Sequence, residues 1–178
     1  MPNRRIKPSH IHTNIHEIDY KALWESGVRI LCFDVDNTLG LMHCDEFDQE
    51  IDELLRNLMA FGFRIAFATN STKNRDNLRE QYNAILCQPQ RINCFVKRPH
   101  KPQRAFYSLL QALLGSPAPR TVAMIGDKLN ADVLAAERCG FVGILVNPLG
   151  SDLWIERALF FRRLENRRLR QHGIVRAT

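Results

Sequence analysis

The sequence predicts an α/β protein, a three-layer α/β/α Rossmann-like sandwich with a parallel sheet. Short runs rich in Val, Ile and Phe alternate along the chain with longer stretches in which apolar residues recur at helical spacing. The short runs are typical of buried strands, and the longer stretches are typical of helices that cover a sheet. Because parallel strands are joined by helical crossovers, this alternation places helices on both faces of one sheet.

The order of the elements follows from the same periodicities. Strands are predicted in five segments, 28–34, 63–69, 93–96, 121–126 and 142–146. Helices are predicted over 46–61, 73–82, 102–114 and 131–139, with one more from 152 towards 171. Active sites of parallel sheets lie at the carboxyl ends of the strands. Asp34, Thr69 and Asp127 each come where a predicted strand ends, which indicates one common site.

The length and composition fit a single intracellular domain. A chain of 178 residues with 45% hydrophobic residues can bury one substantial core. We expect a flexible segment over 1–14 and one domain over 15–178 that includes a basic C-terminal helix. The five cysteines are scattered without a CxxC pair, which indicates reduced thiols. No apolar run resembles a signal-peptide core or a membrane span, so the expected location is the cytoplasm.

The first polar strand end, Asp34-Val35-Asp36-Asn37-Thr38, places two carboxylates two residues apart. In an extended chain these two side chains point the same way. Like charges this close need a proton or a cation, and a hard divalent ion with oxygen ligands is the ordinary solution. One carboxylate can then attack phosphorus while the other moves protons. The alternative is a simple turn and helix cap, which Asp, Asn and Thr also favour.

A second acidic strand end has the sequence GDKLNAD, which contains Asp127 and Asp132. Gly126 is expected to let the backbone turn after the strand. The two acidic residues can complete a metal cage with the first motif. Asp132 also suits the first turn of the next helix, where a carboxylate complements the helix dipole, and the two roles are compatible.

Neutral and cationic groups follow elsewhere in the chain. Thr69 and Asn70, with a serine after them, offer the hydroxyl and amide donors that grip phosphate oxygens. The segment 97–102, KRPHKP, supplies cations ahead of a helix. One lysine there, Lys97 or Lys101, can balance the charge of carboxylates and phosphate. A basic surface loop is the alternative.

In this order, the four segments resemble the haloacid dehalogenase phosphatases, whose pattern is DxDxT, a strand-end Thr or Ser, a Lys, and GDxxxD or GDxxxxD. More narrowly, the chain is similar to the class IIIA branch that includes the bacterial YqeG proteins and the mitochondrial phosphatidylglycerophosphate phosphatases. The similarity runs from Ile15 to Arg170 and includes RILCFDVDNTLG, KPQRAF and GDKLNADVLAAERCGFVGILVNPLGSD. One departure is Thr69-Asn70-Ser71, where the branch often has Ser-Asn-Asn, but Thr keeps the hydroxyl.

The resemblance implies a phosphatase that works through an aspartyl-phosphate. Asp34 would be the nucleophile and Asp36 the general acid/base. Thr69 and Asn70 would bind the transferring phosphoryl group. The later of the two candidate lysines, Lys101, would stabilise the nucleophile and the charge on phosphate, because Lys-Pro before an amphipathic helix matches the branch.

The resemblance also implies Mg²⁺ as the cofactor. Asp127 would bind the ion together with Asp34 and the backbone carbonyl of Asp36, and Asp132 would support the metal or its waters.

The spacing of the motifs leaves no room for a cap domain. The intervals from Asp34 to Thr69 and from Thr69 to Lys101 are each taken up by one predicted helix and its loops. Family members without caps have open sites and tend to take large substrates. The leading expectation is therefore a hydrolase of phosphatidylglycerophosphate or another large or lipid phosphate. The alternatives are a phosphatase of nucleotides or nucleic-acid ends, and a non-catalytic binding protein on the same fold.

Most of the net charge lies in the C-terminal segment. Residues 151–178 contain seven arginines and three acidic residues, in a chain whose formal net charge is +6. Arginines among apolar side chains suit an anionic membrane at its inner face, and the predicted contacts are Arg162, Arg163, Arg167 and Arg168. Alternatively, the apolar residues pack this helix on the sheet while the arginines face water. Binding of this segment to nucleic acid is ranked below membrane contact, because its aromatic residues cluster instead of interleaving with the arginines as a base-stacking surface would. No oligomeric state is predicted.

Overall fold

A six-stranded parallel sheet forms the centre of the computed structural model, which describes residues 8–89, 91–92, 95–96 and 99–150, together with 167 and 170. The strands are β1 (His10–Ile11), β2 (Ile30–Phe33), β3 (Arg64–Ala68), β4 (Ile85–Cys87), β5 (Arg91–Ile92), β6 (Phe95–Val96), β7 (Val122–Gly126) and β8 (Val142–Leu145). The order across the main sheet is β1-β8-β7-β2-β3-β4, and its pairings are parallel. Strands β5 and β6 pair with each other in antiparallel fashion.

Helices cover both faces of this sheet. They are α1 (Tyr20–Glu25), α2 (Gln49–Phe61), α3 (Asp76–Gln81), α4 (Arg104–Leu113) and α5 (Ala135–Arg138). A π-helix, Leu129–Leu134, leads into α5, and 3₁₀ turns lie at Ile15–Glu17 and Pro119–Thr121. Described residues 167 and 170 are helical and exposed.

The central strand β2 shows how the three layers form. Leu31 and Phe33 belong to the core cluster that includes buried residues of α1, α2 and α3. Ile30 and Cys32 belong to the opposite cluster, which includes buried residues of α4 and α5. Because side chains alternate along a strand, a strand apolar at every position is buried on both faces, as parallel sheets require. The predicted three-layer sandwich is confirmed.

The longest of the described helices, α2, has strong local signals at both ends. The side chain of Asp48 accepts a hydrogen bond from the backbone N–H of Ile51 at 2.9 Å, which caps the start. Gly62 ends the helix in the left-handed region with φ +119°, a conformation that glycine adopts without strain. The helix predicted over 46–61 therefore forms, with its first turn shifted to Asp48.

Two strands of the main sheet were not predicted from the sequence, and both lie at its edges. β4 takes the position beside β3, whereas the predicted strand 93–96 contributes only β6, outside the main sheet. β1 arises inside the segment 1–14 that was expected to be flexible, where His10 pairs with Ile144. β1 has two residues and β4 has three, so both are shorter than the apolar runs of about four to eight residues by which a buried strand is recognised.

Apart from residues 167 and 170, the predicted C-terminal helix lies outside the described residues, and so do Arg162, Arg163 and Arg168. Within the described part of the chain, no helix is long and apolar enough to cross a membrane. No disulfide joins the cysteines described there, which are Cys32, Cys44, Cys87 and Cys139.

Candidate active site

The strand ends carrying the predicted polar residues meet at one edge of the sheet. Phe33 is in register with Phe67 on one side and with Ile125 on the other. Asp34, which follows Phe33, donates its backbone N–H to the carbonyl of Ile125 at 2.8 Å. Thr69 and Asp127 follow β3 and β7 in the same way. The parallel register thus brings the three strand ends together, as the sequence indicated.

Lys101 lies at the centre of the buried cluster, between two carboxylates. Its Nζ lies 2.8 Å from Asp34 Oδ1 and 2.6 Å from Asp132 Oδ1. The same ammonium group donates to the carbonyl of Ala68 at 2.7 Å. Asp34, Asp127 and Asp132 are all buried and offer carboxylate oxygens within 4.8 Å of one another. Lys97, the other candidate lysine, lies outside the described residues.

The charges in this cluster do not balance. Burial raises the pKa of Asp34 to about 7, Lys101 works against that rise, and the charges of Asp132 and Asp127 add to it. Burial acts to lower the pKa of Lys101, but the charges of Asp132 and Asp34 and their hydrogen bonds raise it overall. Burial is thus the main cause for Asp34, whereas the carboxylates of Asp132 and Asp34 decide the direction for Lys101. One ammonium group lies among three buried carboxylates. The excess negative charge favours a proton or a divalent cation, and three carboxylate oxygens fit a magnesium ion.

Asp36 lies in a different environment from Asp34. Its Oδ1 accepts hydrogen bonds from Nη2 of Arg75 at 2.7 Å and from the backbone N–H of His43 at 2.8 Å. Its Oδ2 accepts from the hydroxyl of Thr69 at 3.2 Å. The two carboxylates of the first motif are therefore held by different partners, which suits different chemical roles.

Asn70 holds the backbone of Lys101 from both sides. Its side-chain Nδ2 donates to the carbonyl of Lys101 at 3.0 Å, and its Oδ1 accepts from the backbone N–H of Lys101 at 2.7 Å. The sequence suggested a phosphate contact for this residue, and the structure shows that its amide fixes the lysine loop. This pairing joins residues 31 positions apart, so no local sequence pattern predicts it.

Gly126 occupies a closely packed position, whereas the sequence suggested that it lets the backbone turn after the strand. It is absent from the described glycines with positive φ, and a Cβ added there would lie 2.5 Å from Cγ of Asp132. The carboxylate of Asp132 thus packs directly on the backbone of β7. Its Oδ2 also accepts the backbone N–H of Lys128 at 3.0 Å, so the predicted capping role and the role in the acidic cluster coexist.

An open cavity of about 220 Å³ lies above these groups. Asp34, Asp36, Thr69 and Lys101 line it, with Met42 and His43 contributed by the loop that follows the first motif. Neither Met42 nor His43 was singled out from the sequence, and neither was Arg75. Single residues in polar loops carry no recognisable signal, because their neighbours come from distant parts of the chain.

The same motifs occur in a known protein family. Residues 1–149 match the family described as mitochondrial PGP phosphatase. The chain belongs to this family. It is 29% identical over 137 residues to phosphatidylglycerophosphate phosphatase 1, chloroplastic, of Chlamydomonas reinhardtii, covering 76% of this chain and 51% of that protein. The chain therefore spans about half the length of that relative. It is 28% identical over 162 residues to the probable phosphatase YqeG of Bacillus subtilis, covering 90% and 87% of the two chains.

Solved structures identify the fold. An uncharacterized protein from Listeria monocytogenes superposes with a TM-score of 0.57 at 14% identity, over 71% of this chain and 84% of the other. The putative HAD-hydrolase YfnB of Bacillus subtilis, described as bound to magnesium, superposes with a TM-score of 0.52 at 12% identity, over 72% of this chain and 91% of the other. The predicted haloacid dehalogenase fold and the narrower family resemblance are both confirmed.

Proposed function

We propose that this protein is a Mg²⁺-dependent phosphomonoester hydrolase that acts through an aspartyl-phosphate on Asp34. The observation that carries the proposal is the convergence of Asp34, Asp127 and Asp132, whose carboxylate oxygens lie within 4.8 Å of one another, with Asp34 also lining an open cavity. Lys101 bridges two of these three carboxylates. Membership of a family whose relatives are named phosphatases supports the same reaction.

In the first step, a carboxylate oxygen of Asp34 attacks phosphorus and the bond to the leaving oxygen breaks. Lys101 holds Asp34 in place and stabilises the charge that develops on phosphate. Asp34, Asp127 and the backbone carbonyl of Asp36 would hold Mg²⁺, with Asp132 in support. When bound, the ion would supply a Lewis acid that offsets the charge on phosphate.

Asp36 transfers the protons in both steps. Its Oδ2 first protonates the leaving oxygen and then accepts a proton from the water that attacks the aspartyl-phosphate. Thr69, whose hydroxyl donates a hydrogen bond to Oδ2 of Asp36 at 3.2 Å, would turn to the phosphoryl group. Asn70 contributes by fixing the Lys101 loop, and its exposed position at the cavity also allows a phosphate contact.

The proposed substrate is phosphatidylglycerophosphate or another large or lipid phosphate. The described chain inserts no cap between the motifs, so bulky phosphates can reach the cavity. Leu41 and Leu149 are 62% and 48% exposed, and an added Cβ at Gly150 would lie 3.1 Å from Leu41. These leucines place apolar surface beside Met42 of the cavity, where the apolar part of a lipid can contact it.

The membrane contact proposed from the sequence uses the arginines of the C-terminal segment. Of these, Arg167 is described, and it is helical and exposed. Such a position is compatible with anionic headgroups at a membrane surface.

Phosphate release from a substrate panel tests the proposed reaction. The panel contains phosphatidylglycerophosphate in vesicles, nucleotides, a phosphorylated oligonucleotide, sugar phosphates and an aryl phosphate, each with Mg²⁺ or EDTA. We expect Mg²⁺-dependent release, absent in Asp34→Asn, and label from a ³²P-substrate trapped on acid-quenched wild type but not on the variant. Equal release by wild type and variant would reject the mechanism. Preference for nucleotides or the oligonucleotide would reject the lipid assignment.

A leucine substitution tests the apolar surface beside the cavity. Leu41→Glu is expected to lower hydrolysis of vesicle-borne lipid while hydrolysis of a soluble aryl phosphate is retained. Leu113→Glu, at a leucine 45% exposed on α4, is the matched control. Equal loss in the two variants would show that Leu41 has no special contact with lipid.

A further inference from the structure

We propose that Arg75 is a positioning residue for Asp36 and fixes which oxygen of that carboxylate faces the cavity. This inference rests on the proposed role of Asp36 as general acid/base. It concerns a buried cation outside the four sequence motifs.

Arg75 is buried in the loop before α3. Its side chain is 1% exposed, and Nη2 lies 2.7 Å from Asp36 Oδ1. Nη1 donates to the carbonyl of Cys44 at 2.9 Å. Burying a guanidinium group costs much solvation free energy, which is recovered only when charged and polar partners are well placed. The position of the guanidinium group, whose two terminal nitrogens bind Asp36 and the carbonyl of Cys44 like the prongs of a fork, is therefore strongly constrained.

Arg75 is the middle member of a clasp, which we define as Lys73, Arg75 and Asn77. Lys73 Nζ donates to the carbonyl of His43 at 2.6 Å, and Asn77 Nδ2 donates to the carbonyl of Asp45 at 2.6 Å. Together with the bond from Arg75 to the carbonyl of residue 44, these three alternate residues, which lie just before α3 and in its first turn, hold three successive carbonyls of another loop. Within the clasp, Arg75 is the residue that contacts Asp36.

The clasp holds the loop that also contacts Asp36. The backbone N–H of His43 donates to the same Oδ1 as Arg75, at 2.8 Å. Two donors therefore occupy Oδ1 of Asp36. Oδ2 is consequently the oxygen that faces Thr69 beside the cavity. Without Arg75 the carboxylate can rotate, and the acid no longer points consistently at the leaving oxygen.

The test compares substrates that differ in their need for a general acid. An alkyl phosphate has a poor leaving group that must be protonated, whereas a nitrophenyl phosphate departs with little assistance. We expect Arg75→Met to lower kcat/KM about 100-fold for the alkyl phosphate and less than about threefold for the aryl phosphate. Arg75→Lys keeps the charge without the fork, so its alkyl-specific loss should be intermediate. Thermal unfolding of each variant checks that it is folded.

Two further variants distinguish the possible outcomes. Asn77→Ala removes a clasp contact without touching Asp36, and it should leave the ratio of alkyl to aryl activity unchanged. Equal losses on both substrates in Arg75→Met and Arg75→Lys, or a changed ratio in Asn77→Ala, would overturn the inference. Asp36→Asn is the reference: if it shows no selective loss on the alkyl phosphate, the proposed acid role fails as well. If Asp36→Asn shows a selective loss on the alkyl phosphate and the Arg75 variants show none, only the inference about Arg75 fails.

Discussion

Replacing the proposed nucleophile is expected to inactivate the protein and, in the absence of metal, to remove a pH-dependent loss of stability. Burial raises the pKa of Asp34 from 3.8 to about 7. Between these values the folded protein retains a proton that the unfolded chain has released, so stability falls as pH rises from about 4 to about 7. At 1.36 kcal/mol for each pH unit, the complete loss is about 4 kcal/mol.

Asp34→Asn removes this titration but also removes the ion pair with Lys101. Loss of the ion pair changes the free energy of unfolding of the variant by an amount that is treated as constant with pH. The informative quantity is therefore how the difference in free energy of unfolding between variant and wild type changes with pH. We expect the free energy of unfolding of the variant, relative to wild type, to increase by about 4 kcal/mol between pH 4 and pH 8. For a chain of this length, that corresponds to a relative rise in Tm of roughly 8–16 °C.

Urea unfolding and thermal melts in EDTA across this pH range provide the measurement. Glu25→Gln is a control, because the side chain of Glu25 is 65% exposed. Adding Mg²⁺ at pH 8 should stabilise wild type more than Asp34→Asn, since binding to the folded state raises stability. A difference between variant and wild type that is constant from pH 4 to pH 8 would refute the charge imbalance around Lys101.

Three other substitutions test the neighbouring contacts. Lys101→Met leaves Asp34 and Asp132 without their shared cation and should cost about 3–5 kcal/mol in EDTA, with part recovered on adding Mg²⁺ in thermal melts. Asn70→Ala removes both side-chain bonds to the Lys101 backbone; steady-state kinetics should show a lower kcat with a smaller change in KM. Gly126→Ala introduces a Cβ 2.5 Å from Cγ of Asp132, so calorimetric titration should show weaker Mg²⁺ binding, and unchanged affinity would contradict this packing.

Periodicity was sufficient to predict the central part of the fold. β2, β3, β7 and β8 are apolar and largely buried, so their sequences identify them as interior strands of a parallel sheet. The edge strands β1 and β4 were missed because they are only two and three residues long, which is too short for a clear strand signal. Their positions depend on hydrogen bonds to β8 and β3, which are partners distant in sequence.

The sequence by itself determined the chemical groups of the candidate site, because Asp34, Thr69, Lys101, Asp127 and Asp132 lie in short motifs at strand ends or before a helix. Only the tertiary structure decided how those groups are paired. Lys101 bridges two carboxylates, Asn70 holds the Lys101 backbone, and a buried arginine 39 positions away binds Asp36. A local motif specifies which atoms a strand end presents, whereas their partners, burial and pKa values depend on segments that only folding brings together.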